Sequence, residues 1–226
     1  MLWITVGFCF LSYYVKSFFE FQINNPWCLY FFLGIAVALT VTVMCFGNDC
    51  IGENTYLKVL LLAIIVISFS YIVSYFTSLY ANAYGAPLVV EAAVLTAGLV
   101  MALTLYAFVI KTDFSTCVGI IIVVLVSFIL FGISFAFTMS GSLHTLFATF
   151  GCIIAGIILV IDTQWVADGD RGCSLDDPLL GALVIYVDII RVFLYVLQLM
   201  GSSRGRWKWS ITSSKSKLSS YLKINF

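Results

Sequence analysis

Four ionisable residues, Glu91, Asp162, Asp188 and Arg191, stand inside stretches that are otherwise apolar. An ionised side chain facing lipid costs several kcal/mol, so the default placement of each is the interior of a helix bundle, on an ion or proton path. Glu91 lies near the start of its apolar run and could instead reach the membrane interface. Asp162 has a weaker version of that escape, because Thr163, Gln164 and Trp165 follow it near a helix end. Asp188 has almost none.

Helical geometry favours inward carboxylates. At about 100° per residue, Gly151, Ala155 and Asp162 fall in one narrow arc, so the small-residue face that permits close packing also carries the acid. Asp188 lies one heptad from Gly181 and from Tyr195, and one turn from Arg191. The short acidic connection Asp168 to Asp177 makes the helices bearing Asp162 and Asp188 neighbours, which brings the two acids within hydrogen-bonding range at similar depth. Two carboxylates in one low-dielectric site cannot both ionise cheaply and titrate as a unit, which makes the pair a pH sensor. Doubly ionised, it is a hard-oxygen site for a cation such as Ca²⁺; sharing one proton, it is a lock between two helices. Arg191 competes with any cation there, or forms a permanent salt-bridged staple.

The elements that must position these groups follow from composition. Of 226 residues, 62 % are hydrophobic, 16 % aromatic and 10 % charged, with a mean hydropathy of +1.11. An ordinary soluble domain carries about 25 % charged residues, so this chain cannot clothe a water-facing surface. With formal charge zero, no basic excess points to nucleic acid. Apolar runs predict spans near residues 1–19, 26–46, 57–79, 87–110, 116–138, 146–166 and 179–200. The connections are short, leaving no room for a soluble domain, and backbone groups in hydrocarbon must pair within helices. The expectation is an all-α membrane protein, a seven-transmembrane-helix bundle over residues 1–201. The first span is read as retained, because Met1 to Val15 lacks a basic flank and a cleavage site.

Residues 202–226 form a basic tail rich in Ser, Lys and Arg. Arg204, Arg206 and Lys208 interleave with Trp207 and Trp209, a pattern for rings at the headgroups and cations over anionic lipid; a solvated tail is the alternative. The positive-inside rule puts this tail in the cytosol. A crossing last segment sets it opposite Lys58, Lys111 and Arg171, whereas a re-entrant one gathers them on its side; the length of the run from Leu179 to Met200 favours crossing.

Enzymatic readings find no support. The one histidine, His144, shares a loop with Ser140 and Ser142, and neither a G-x-S-x-G turn nor a second histidine supplies a catalytic base. Seven cysteines contain no C-x-x-C pair, so zinc is not expected and neither is any cofactor. Cys50 and Cys173 fall in connections on one face, where a disulfide requires an oxidising compartment.

Several motifs together resemble the Bax-inhibitor/lifeguard family: Asn25-Pro26-Trp27, Glu91 through Ala97, Leu103 through Phe108, Asp113-Phe114, Ile161-Asp162-Thr163-Gln164, and Gly181-Ala182-Leu183 through Ile190 with Phe193-Leu194-Tyr195. The resemblance runs from Asn25 to Gly201. It implies a seven-helix bundle with a central last helix, residence in endoplasmic reticulum, Golgi or related membranes, a pH-sensitive calcium leak, and suppression of apoptosis; the plasma membrane is the alternative location. It also implies that Asp162 and Asp188 match the family's two-aspartate sensor, and that Glu91 matches the acid opening its fourth helix. Three features depart from the pattern: Gly47-Asn48-Asp49 replaces basic residues, Arg191 replaces an Asn, and the N-terminal region is short. A shortened, divergent copy is the form a viral homologue would take. The alternative function is a non-conducting adaptor that alters the trafficking or stability of other membrane proteins, for instance in immune evasion.

Overall fold

The computed structural model describes residues 1–51, 55–109, 141–168 and 178–224, with side chains described over 1–43, 56–109, 145–167 and 179–204. These residues form α1 (Leu2–Tyr14), α2 (Lys16–Asn24), α3 (Pro26–Ile51), α4 (Thr55–Tyr84), α5 (Ala86–Val109), α6 (Gly141–Asp168) and α7 (Pro178–Ile224). The chain is an all-α bundle with several membrane-spanning helices. Among the described residues, five helices are long and apolar enough to cross a bilayer, or six spans if α1 and α2 count as one broken span. The expected span at 116–138 and the acidic connection lie outside the described residues, as do the side chains of Cys50, Cys173 and His144.

The first expected span, a single helix over 1–19, is replaced by a pair bent by 95°. Val15 leaves the helical region at φ −96°, ψ 89°. The break falls where an apolar run gives way to Lys16 and Glu20, both exposed. Thirteen residues of α1 rise only about 20 Å, too short for a bilayer, so the bend rather than a straight crossing fits the sequence.

Local chemistry sets the other turns. Asn25 closes α2, its side-chain amide donating to the Phe21 carbonyl at 3.0 Å. Pro26 then opens α3, where a missing N–H costs nothing. Gly85 joins α4 to α5 as a single residue at φ +95°, with its N–H on the Ala81 carbonyl at 2.9 Å. That left-handed position suits glycine, and Pro87 in the first turn of α5 prevents α4 from continuing.

Two helices carry most of the packing. α4 meets α1, α2, α3, α5 and α7, while α7 meets α4, α5 and α6. Ile65, Val66, Val73, Leu183, Tyr186, Val187 and Ile190 make one apolar cluster between α4 and α7. Leu88, Ala92, Ala155, Val192, Val196 and Leu197 make a second among α5, α6 and α7. α7 is unbroken over 47 residues, with no reversal of the kind a re-entrant segment needs. The helix also runs through Gly201, where the composition changes, into the basic region.

Glycine notches set the distances between these helices. The Tyr195 ring lies against Gly151 and the Tyr80 ring against Gly201. A Cβ at Gly151 would overlap Tyr195, whereas one at Gly98 meets nothing within 4 Å. Gly151→Val is therefore expected to destabilise the folded protein by about 1–3 kcal/mol through overpacking, read as a lower unfolding temperature in detergent. Gly98→Ala should be neutral or stabilise by about 0.5–1 kcal/mol. Equal effects of the two substitutions would contradict this packing.

Candidate functional site

Asp162 on α6 and Asp188 on α7 are brought together. Their side chains are within hydrogen-bonding reach of each other. The α6–α7 contact that does this is built by the heptad Gly181, Asp188, Tyr195 on α7. Gly181 sits against Val166, where a Cβ would lie 3.2 Å from Val166 Cγ1, and Tyr195 fills the Gly151 notch. Close approach at both ends of the heptad leaves the acid in the middle facing α6. Ala155, one turn-pair before Asp162, is 1 % exposed, so the small-residue arc is the buried one.

The surroundings of Asp188 are sparse. Its side chain is 3 % exposed and its Oδ1 accepts from Arg191 Nη1 at 2.9 Å. Oδ2 is buried with no hydrogen-bond donor among the described residues. Two carboxylate oxygens can meet only when a proton lies between them, so the contact with Asp162 closes in the state where one acid is protonated. Arg191 is 41 % exposed and reaches back one turn along its own helix. It caps one oxygen of the pair. Next to Asp162, Thr163 turns its hydroxyl onto the Leu159 carbonyl at 2.6 Å, and Gln164 donates to the Ala107 carbonyl of α5 at 3.2 Å. The Gln164 bond ties the end of α6 to α5, while the Thr163 bond stays within α6.

Glu91 does not join this site. Both of its carboxylate oxygens accept from Arg204 Nη2 at 3.1 Å, with the two side chains half-exposed. Arg204 lies sixteen residues beyond Asp188 on the same helix, a rise of about 24 Å, which places this ion pair at the opposite end of the bundle. α5 begins at Ala86, so the pair stands at the membrane boundary, where surface-type ion pairs contribute little to stability. The side chains of Arg206, Trp207, Lys208 and Trp209 lie outside the described set; their backbone is helical.

A second polar tract is not evident from the ionisable residues. Thr5 Oγ1 lies 3.0 Å from Ser70 Oγ and 2.8 Å from the Tyr186 hydroxyl, and Tyr186 reaches the Val66 carbonyl at 3.4 Å. Ser12 donates to Gln22 Oε1 at 2.7 Å, and Gln22 Nε2 donates to Ser74 at 2.9 Å. Gln22, Ser70 and Ser74 are all fully buried. These bonds fasten the bent α1–α2 pair to α4. The signal in sequence is the spacing of Ser70, Ser74, Thr77 and Ser78 along one face of an otherwise apolar helix, answered by Gln22.

The described residues hold no cluster of three or more His, Cys, Asp or Glu side chains. Two carboxylates with free lone pairs suit brief contact with a passing hard cation rather than a resident ion, which takes six to eight oxygens when it is Ca²⁺.

These features define a multipass α-helical membrane protein with an acid pair, one member buried and one half-buried, between its last two described helices. A profile of the family described as "Inhibitor of apoptosis-promoting Bax1" matches residues 1–205. The chain belongs to the Bax inhibitor/lifeguard family. It is 30 % identical over 209 residues to Protein lifeguard 3 of Mus musculus, covering 89 % of this chain and 65 % of that protein. With Protein lifeguard 3 of Homo sapiens it shares 35 % identity over 144 residues, 61 % of this chain and 46 % of the relative. With Bax inhibitor 1 of Schizosaccharomyces pombe it shares 31 % over 119 residues, 52 % and 44 % respectively. The alignments thus span less than two thirds of each relative's own length.

Proposed function

We propose that the chain is a pH-sensitive cation leak in an intracellular membrane, carrying Ca²⁺ past the Asp162–Asp188 pair and lowering stored calcium so as to restrain apoptosis. The observation that carries this reading is the meeting of a buried carboxyl, Asp188, with a half-buried one, Asp162, and the lack of a donor to Asp188 Oδ2 among the described residues. With one proton shared, the pair joins α6 to α7; with both acids ionised, like charges repel across the same gap and offer oxygens to a cation. Membership of a family named for inhibition of Bax1 supports the link to apoptosis. Residence in endoplasmic reticulum or Golgi follows the same resemblance. The basic helix after Gly201 is read as its membrane-surface element: residues 204–209 rise about 8 Å, a depth that fits the headgroup layer.

Purified protein in liposomes loaded with a calcium indicator tests the reading. Ca²⁺ entry that changes with pH, above that of empty liposomes, is the expected result. Absence of flux at every pH, together with membrane-protein partners that co-purify, would instead establish the adaptor reading. The Arg191–Asp188 staple at 2.9 Å is the observation favouring that second function.

A further inference from the structure

Helix α7 carries polar side chains on opposite sides. Asp188 faces α6, and Tyr186, two residues earlier and about 200° around the helix, faces α1 and α4. Tyr186 is 3 % exposed. Its hydroxyl is 2.8 Å from Thr5 Oγ1 and 3.4 Å from the Val66 carbonyl, and Thr5 is 3.0 Å from Ser70. One consistent set of donors runs Ser70 to Thr5, Thr5 to Tyr186 and Tyr186 to the Val66 carbonyl, each hydroxyl donating once. Three elements, α1, α4 and α7, are closed by this cluster.

We infer that Tyr186 is a positioning residue for the acid pair, with its Thr5–Ser70 cluster fixing the rotation of α7 that aims Asp188 at Asp162. The argument is geometric. A rotation of α7 by one residue's angle, about 100°, would carry Asp188 off α6 altogether, so a modest rotation suffices to change the approach of the two carboxyls. On the α6 side the setting depends on the Tyr195 ring in its glycine notch and on Gly181 against Val166. On the far side it depends on hydrogen bonds, which are directional. Because the middle hydroxyl belongs to α1, the docking of the bent α1–α2 pair is coupled to the acids across the full width of α7.

Among the described residues, the charged and titratable groups around the two polar faces include Tyr195 of α7, which stands near Arg191. Asp162 comes from α6, and Arg191 from α7 itself. Cys9 of α1 faces Tyr186. Glu91 of α5 is held by Arg204 at the other end of the bundle.

This inference rests on the acid pair acting as the sensor of the proposed leak, and its test separates the two. The pH titration of the protonated-carboxyl infrared band is recorded on the whole protein in liposomes, alongside Ca²⁺ flux, for wild type, Tyr186→Phe, Thr5→Val and Thr5→Ser. Tyr186→Phe and Thr5→Val are each expected to displace the midpoint of the carboxyl titration by about half a pH unit or more, whereas Thr5→Ser, which keeps the hydroxyl, restores it. The double variant should displace it by less than the sum of the two single ones, since both remove the shared Thr5–Tyr186 bond. Displacement of the carboxyl titration without any flux supports the positioning role and overturns the leak. Wild-type titration in folded Tyr186→Phe protein overturns the positioning role and leaves the leak standing. If Tyr186→Phe folds poorly, Thr5→Val against Thr5→Ser decides the question from α1.

Discussion

Asp188→Asn is expected to remove the pH response of Ca²⁺ flux, leaving the rate across the titration range near the value wild type shows at its acid end. Asparagine has the shape of the acid and keeps a hydrogen bond to Asp162, but it cannot release a proton. The variant therefore imitates the pair with its shared proton in place. A one-proton switch changes an equilibrium by up to about tenfold per pH unit, so the loss amounts to the whole of that slope. Asp162→Asn should behave in the same way, because the two acids titrate as one unit. Retention of the wild-type pH profile in both variants, with unfolding temperatures unchanged, would show that the pair is not the sensor.

Arg191→Asn carries the second large effect. The guanidinium lies 2.9 Å from Asp188 Oδ1, so a cation arriving at the pair meets a fixed positive charge a few ångströms away. Unit charges about 4 Å apart repel by about 4 kcal/mol at an effective dielectric constant of 20, and Ca²⁺ doubles the force. Arg191 is partly exposed and screened, so only a fraction of this survives. Even about 1.4 kcal/mol is tenfold in rate, and flux through Arg191→Asn is expected to rise about tenfold or more. The asparagine amide can still donate to Oδ1 one turn back, which limits the damage to folding. Lower flux at an unchanged unfolding temperature would mean that the arginine supports the path rather than obstructing it.

The long described helices from α3 onward were legible from apolar runs, because a bilayer demands them and few other structures satisfy the backbone there. The approach of Asp162 to Asp188 was legible too, since heptad spacing puts each acid on the face with Gly151 or Gly181. Other features were not. The 95° bend after Tyr14 arises without proline or glycine at the break, so hydropathy alone reads through it. Glu91 reads from its apolar run as a residue of an ion path or of the interface, and its partner Arg204 sits where the composition suggests a tail. Only an unbroken α7, continuing past Gly201 under the Tyr80 ring, brings that guanidinium beside α5. The Thr5–Ser70–Tyr186 cluster was hidden for a different reason. Serine and threonine can satisfy their own hydroxyls on the carbonyl one turn back, as Ser68 does on Ile64 at 2.8 Å. Sequence does not tell which hydroxyls reach across helices instead.

The most direct measurement of the central claim is the infrared spectrum of the protonated carboxyl, followed through pH in wild type, Asp162→Asn and Asp188→Asn. A proton held between the two acids gives one pH-dependent carboxyl band in wild type, and either substitution alone abolishes or displaces it. Two acids that titrate apart would give the opposite pattern: each substitution would delete its own band and leave the other, with its midpoint, untouched.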